Sequence, residues 1–258
     1  MEVWGGSVAG PSRPVLHGGC TDVHLDGSSG LLRELTFGCT GKAKLALQVR
    51  TSLLAYRTDK SGAYIMRLLD KAPTELSDVA EEVALQRTRL FEQVRSTSPG
   101  HFTVTTRVHH ASGGVPTTAP KGGAIDFQIR DSFQIRDSEH EAAVEMDVTV
   151  YAALNQEVVL RVQSDLGSAV TSFHTHDGLA WRRRGSPPGM DHTPFPAAAF
   201  FPTAVGAALR QAGNGTGGTG AHHGAPQQLT LLFDRSVGAA RVGDGGLEIL
   251  IHRSLGQV

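Results

Sequence analysis

Cysteine, tryptophan and tyrosine are scarce in this sequence, with two, two and three respectively among 258 residues. Two thiols, Cys20 and Cys39, make no disulfide framework, and with no Cys-x-x-Cys pair there is no thiolate cage for zinc. Two ordinary thiols are the simpler reading, and a disulfide between them stays open. No charge of one sign prevails, because 24 Lys and Arg stand against 25 Asp and Glu. Neither nucleic acid nor an acidic membrane surface is therefore a partner suggested by charge. Long apolar runs are also lacking. The least polar stretch, 197–209, falls short of the roughly 20 residues of a membrane helix and is interrupted by Pro202. The opening string "MEVWGGSVAG" has an acidic residue where a signal peptide carries basic charge, so no signal peptide is expected. The sequon Asn214-Gly215-Thr216 has meaning only in a secretory route.

What is present is alternation with a period of two. In "AVEMDVTVYAAL", Val144, Met146, Val148 and Val150 share one face while Glu145, Asp147, Thr149 and Tyr151 share the other, as a half-buried strand requires. The same pattern recurs in "HFTVTTRV", "KLALQVRTSL" and "EVVLRVQ", with turn signals at Asp26-Gly27, Asp177-Gly178 and Gly243-Asp244-Gly245-Gly246 between such runs. The expectation is an all-β fold, an antiparallel β-sandwich with few or no helices. One segment resists: 73–94 has helix-favouring composition, with Thr74 or Ser77 able to cap, but its apolar positions fit neither period. Residues 1–19 are expected to be a poorly ordered lead-in to a single region, 20–258. Mobile insertions are expected near 110–126 and 212–226, where Gly, Pro, Thr and Ala dominate. The string "FQIRDSFQIRDS", 127–138, repeats one hexapeptide. Six is even, so the second copy keeps the facing of the first, and the duplication lengthens a strand or bulges into a loop.

Catalytic signatures are sparse. His174, His176 and Asp177 in "FHTHDGLAW" resemble clustered metal ligands, but no third histidine follows at a useful spacing. His109-His110 and His222-His223 read as solvated loop histidines. A glycosidase needs two carboxylates across a sugar, and the sequence alone pairs no two of its acids at that separation. There is no Gly-x-Ser-x-Gly elbow, P-loop or dinucleotide fingerprint.

Six blocks carry a resemblance: "GLLREL" (30–35), "KSGAYIMR" (60–67), "NQEVVLRV" (155–162), "FHTHDGLAWRRR" (173–184), "FFPTAV" (200–205) and "QLTLLFDRSVGAARVGDGGLEILIHRSL" (228–255). In this order they resemble the C-terminal half of class II α-mannosidases, the lysosomal and Golgi-type enzymes of glycoside hydrolase family 38. The resemblance implies a galactose-mutarotase-like super-sandwich, packed in the family against a separate α/β catalytic domain in the same chain. That domain carries the zinc ligands and the nucleophilic aspartate. None of those segments has a match here, and "HLD" at 24–26 fits a hairpin of the first β block. The resemblance thus implies α-mannoside hydrolysis for an intact enzyme, with no cofactor held by this chain and zinc in the absent half.

Two site residues follow by position. Tyr64 matches the tyrosine of the family's Ser-Gly-Ala-Tyr block, which borders the sugar pocket. A phenol there can hydrogen-bond a mannose hydroxyl, or it can fill the interface with the catalytic domain. Arg253 matches a pocket arginine, and by strict alternation it shares the face of Leu247, Ile249 and Ile251. Ser254 stands where a second arginine is usual. The implied partners are the α-mannosidase catalytic domain and a mannose-containing glycan, and the implied compartments are lysosome, vacuole or Golgi lumen. An orphan interface would leave an exposed apolar patch larger than a few hundred Å². The rivals are an independent carbohydrate-binding module, poorly supplied with only Trp4 and Trp181, and a self-sufficient metallohydrolase built on His174 and His176.

Overall fold

A computed structural model describes residues 6–7, 13–18, 21–37, 45–58, 66–70, 72–77, 80–110, 129–137, 140–151, 155–166, 170–185, 199–211 and 228–253. In chain order the strands are β1 (Gly6–Ser7), β2 (Val15–Gly18), β3 (Thr21–Leu25), β4 (Leu32–Phe37), β5 (Leu45–Arg57), β6 (Thr74–Glu75) and β7 (Glu82–Arg87). Then come β8 (Phe91–Ser98), β9 (Phe102–His109), β10 (Ile129–Asp137), β11 (His140–Val150), β12 (Gln156–Ser164) and β13 (Val170–His176). The last six are β14 (Trp181–Arg184), β15 (Phe201–Thr203), β16 (Gly206–Gln211), β17 (Gln228–Leu232), β18 (Val237–Val242) and β19 (Gly246–His252). No α-helix occurs among the described residues.

The strands form two antiparallel sheets. One has ten strands in the order β1-β7-β8-β9-β11-β10-β17-β16-β13-β14; the other has nine, in the order β15-β18-β19-β12-β5-β4-β3-β2, with β6 beside β5. Alternation explains how they pack. Phe102, Val104 and Val108 on β9, and Val144, Met146 and Val148 on β11, are buried on one face of the larger sheet. Leu53 on β5, Leu160 on β12 and Ile249 on β19 are buried on the facing side of the smaller one, and all belong to one continuous core. Each such side chain contributes about 1.5–3 kcal/mol of apolar burial. The expected all-β sandwich is the fold observed.

Hairpins fall where the sequence signals turns. Asp26 Oδ1 accepts from the backbone N–H groups of Ser28 and Ser29, closing the loop between β3 and β4. His24 and Asp26 are thus parts of that hairpin. Gly243 and Gly245 adopt positive φ between β18 and β19.

Two open readings are decided and one expectation changes. Segment 73–94 contains β6, β7 and the start of β8, not a helix. Its helix-favouring composition is overridden because Val94 is buried in the core and Val83 and Leu85 pack against it, contacts reached by extended strands, β7 paired to β8 and β8 to β9. Ser77 caps no helix, since its Oγ accepts from Leu53 N–H and donates to Glu75. Residues 1–19 are not wholly a lead-in either, as Val15–Gly18 pairs with β3 and buries Leu16 completely. One buried leucine in a four-residue strand leaves too little alternation to read. The hexapeptide repeat, in turn, lengthens a strand: β10 runs unbroken through 129–137 in continuous register with β11, Ile129 opposite Val148 and Phe133 opposite Val144. Cys20, Cys39, the sequon and most of the two insertions lie outside the described residues.

Candidate functional site

On β5, Leu53 and Ala55 face the core, so Leu54 and Tyr56 face away from it. There they form a second, smaller cluster with Val159 of β12 and Leu250 of β19, against which Met66, Leu68 and Phe200 pack. The outer side of this sheet is therefore roofed, not open to water. Two carboxylates lie under that roof, Glu157 and Glu248, respectively 0% and 1% exposed. Buried carboxylates persist only with donors or cations beside them.

Glu248 has both. Tyr56 donates its hydroxyl to the two carboxylate oxygens at 3.1 and 3.0 Å. Arg161, directly opposite Glu248 in register, donates from Nε at 2.9 Å and also from Nη2. Burial, and then the neighbouring Glu248 charge and hydrogen bond, push the Tyr56 phenol well above its ordinary range, so it stays a donor. Sequence reading missed Tyr56, Arg161, Glu157 and Glu248. One signal was available: Glu248 interrupts the apolar run Leu247 to Ile251, and a charge within a fully buried strand requires partners.

Arg253 accompanies the other carboxylate, with Nε 3.8 Å from Glu157 Oε2. This corrects its facing. Val158 pairs with His252 and Val159 with Leu250, so Ile251 is an extra residue on β19 and a bulge resets the alternation. Arg253 thereby leaves the face of Leu247, Ile249 and Ile251 and joins Glu157, which stands opposite Tyr56. About a third of its side chain remains exposed. Tyr64 lies outside the described residues. The chain on either side of it is fixed: Thr58 bridges to Leu68, and Thr58 N–H donates to the carbonyl of Asn155 at 2.9 Å. The end of β5, the start of β12 and the end of β19 thus meet at one end of the sheet.

The histidine string is absorbed by its hairpin. Asp177 accepts from the backbone N–H of Leu179 and Ala180 and from Arg182 Nε. Those contacts, led by Arg182, hold its carboxyl well below the usual range. His176 accepts from Gly178 N–H and meets the Trp181 ring edge-on, while His174 Nε2 lies 2.9 Å from Ser172 Oγ. No group of three metal-ligating side chains occurs among the described residues. Of the paired histidines, His109 ends β9 with Nε2 3.1 Å from Glu145 and Phe91 edge-on to its ring, a half-buried site instead of a solvated loop. His222 and His223 lie outside the described residues.

A polar cleft of about 250 Å³ opens elsewhere, lined chiefly by Asp26, Ser29, Arg33, Arg50, Glu75 and Ser77. Its acids are engaged, Asp26 with Arg33 and Glu75 with Ser77. The large exposed apolar side chains among the described residues are Leu69, Leu90, Tyr151, Leu179 and Val205. They sit on turns and strand ends. A scan against models of known protein families finds no match to this chain, and a search of the curated proteins finds none either.

Proposed function

We propose that the chain is a non-catalytic C-terminal β-sandwich region of an α-mannosidase-like protein. It would pack against a zinc-dependent catalytic half and complete one wall of the mannose pocket with Tyr64 and Arg253. The observation that carries this reading is the shared sheet end. Arg253 at the end of β19 adjoins Glu157 at the start of β12, which stands opposite Tyr56 near the end of β5, and β5 leads directly into the segment that holds Tyr64. Arg253 and the end of β5, from which the chain runs on toward Tyr64, thus lie at one end of one sheet. A guanidinium there, steadied by a buried carboxylate, is suited to donate to sugar hydroxyls.

The test has two arms. The purified chain is assayed for aryl α-mannoside hydrolysis with added zinc and with chelator, and it is co-expressed with the catalytic half of a lysosomal-type α-mannosidase. The expected result is no turnover alone, with co-purification and zinc-dependent turnover by the pair. Turnover by the chain alone, or failure to associate with the catalytic half, overturns the reading.

The alternative of an independent carbohydrate-binding module gains one observation. Phe91, Gln93, Arg107 and Glu145 adjoin on the outer face of the larger sheet, with the Arg107 guanidinium 5.1 Å from the Phe91 ring centre. Glycan binding that is lost on Phe91→Ala, while Arg253→Ala leaves it intact, would favour that reading.

A further inference from the structure

At the other end of the larger sheet, β14, β13 and β16 lie side by side. Phe173, Leu209 and Leu229 point into the core, so the intervening positions face outward. Four of them adjoin: Arg183 stands opposite His174 in register, and Arg210 stands opposite Ser172, two residues along the same strand. The backbones of β14 and β16 are two strand spacings apart, about 10 Å. Two extended arginine side chains can close that gap on a single ligand.

The four arginines of this corner divide into two pairs. Arg182 donates from Nε to Asp177 at 2.7 Å, and Arg184 donates to Thr175 Oγ1 at 2.8 Å while lying over the Phe201 ring. Arg183 and Arg210 have no carboxylate partner among the described residues. Arg210 Nε is covered and finds no acceptor, and its guanidinium sits 5.8 Å from the centre of the Trp181 ring. The outward residues beside them on β16 and β17, Ala208, Thr230 and Gln228, carry no charge. His174 answers neither cation: burial and the Arg210 and Arg183 charges hold its pKa below the ordinary value, favouring the neutral ring.

A single exposed arginine on a surface is ordinary. A partly covered guanidinium lacking an acceptor, next to a second one and a desolvated histidine, is a concentration of positive charge that the described chain does not answer. A ligand oxyanion would answer it, because a planar guanidinium fork matches tetrahedral oxyanions in pairs of hydrogen bonds. Ser172 and the imidazole of His174 supply further polar groups at the same place.

We propose that Arg183 and Arg210, with Ser172 and His174 between them, form a binding site for a phosphate or sulfate monoester group carried by a small molecule. The site is independent of the mannoside-pocket reading, which concerns the other sheet.

The site is tested on the full chain by titration with inorganic phosphate, inorganic sulfate and glucose 6-phosphate at constant ionic strength set by chloride. Tryptophan fluorescence reports it, because Trp181 lies beside Arg210; Trp4→Phe removes the second indole. The expected result is a saturable change with the ester that chloride does not produce, and an affinity reduced at least tenfold in both Arg183→Gln and Arg210→Gln. Arg183 is exposed, so its variant keeps the melting temperature and separates loss of binding from loss of folding. The proposal is overturned by no saturable response to the ester, by binding of the free ions alone, or by unchanged affinity in Arg183→Gln.

Discussion

Tyr56 and Glu248, 192 residues apart in sequence, meet where the tyrosine hydroxyl donates to both oxygens of a buried carboxylate at 3.1 and 3.0 Å. Their strands are not neighbours, since β12 lies between β5 and β19. The contact therefore ties three strands together, with Arg161 of the middle strand closing it from below. Removing the donor leaves a carboxylate buried with one partner fewer. Tyr56→Phe is expected to cost about 1.5–3 kcal/mol, the range for a hydrogen bond to a charged group, measured by urea unfolding at pH 7.

The same pair predicts an alkaline limit. Burial, then the Glu248 charge, raises the Tyr56 pKa in the folded state above its unfolded value of about 10. A raised folded pKa contributes stability that is fully present below the unfolded value and lost as pH climbs from there toward the folded one. The stability gap between wild type and Tyr56→Phe should therefore narrow as pH rises above about 10, while other ionisations cancel in the difference. A gap that stays constant to pH 11 would show that the phenol is not held in its protonated form.

Arg253 and Glu157 should behave as a coupled pair. Arg253→Ala removes the cation 3.8 Å from a fully buried carboxylate, whereas Glu157→Gln together with Arg253→Ala removes both charges. The expectation is that the double variant is more stable than the sum of the single losses predicts, by about 1–3 kcal/mol of coupling. A double-mutant cycle by chemical unfolding measures it, and zero coupling would mean that Arg253 is held by other groups.

The strands that alternate cleanly were legible, and so were the turns. β9 and β11 each present four inward positions in register, and Asp26-Gly27 and Gly243 to Gly246 close hairpins as their residue types predict. Facing near Arg253 was not legible, because one extra residue at Ile251 inverts the alternation and nothing in the sequence marks a bulge. β7 was not legible either, since Glu, Ala, Leu and Gln favour a helix locally and only the core behind Val83 and Leu85 decides otherwise. The acid–phenol cluster lay beyond reach for a third reason. Its members come from three strands, and no spacing along one strand reports which side chains share a roof.

Asp26 predicts an acid limit. The Ser28 hydroxyl above all, then the backbone N–H groups of Ser29 and Ser28 and the Arg33 guanidinium, hold its carboxyl well below the usual range against an opposing effect of burial. A depressed folded pKa contributes stability present above the unfolded value of about 3.9 and lost as pH falls. Asp26→Asn is expected to cost about 1–2 kcal/mol at pH 7, in line with loss of a side-chain cap, with the difference from wild type closing below about pH 3. Thermal unfolding across pH 2.5–7, within about that buffer range, distinguishes this from a merely steric role, whose cost would not depend on pH.

Gly30 opens the block "GLLREL" and tests the packing of one sheet on the other. Its φ of +67° is a conformation that disfavours a side chain, and a Cβ there would stand 1.9 Å from Ser96 Oγ. Ser96 lies on β8 of the larger sheet, and its Oγ is buried without a hydrogen-bond partner. Two costs therefore combine in Gly30→Ala, about 1 kcal/mol or more of backbone strain and a clash that forces the buried Ser96 hydroxyl to rotate away or the sheets to move apart. The variant is expected to lose more than about 3 kcal/mol or fail to fold. Ser96→Ala alone, deleting an unsatisfied hydroxyl, is expected to be neutral or slightly stabilising. In the double variant the clash with Oγ is gone, but Ser96 Cβ still stands 3.1 Å from the new methyl group. Rescue should thus be partial, returning a folded protein less stable than wild type. Full rescue would show that backbone strain at Gly30 is negligible; no rescue would show that the contact with β8 is not what excludes a side chain there.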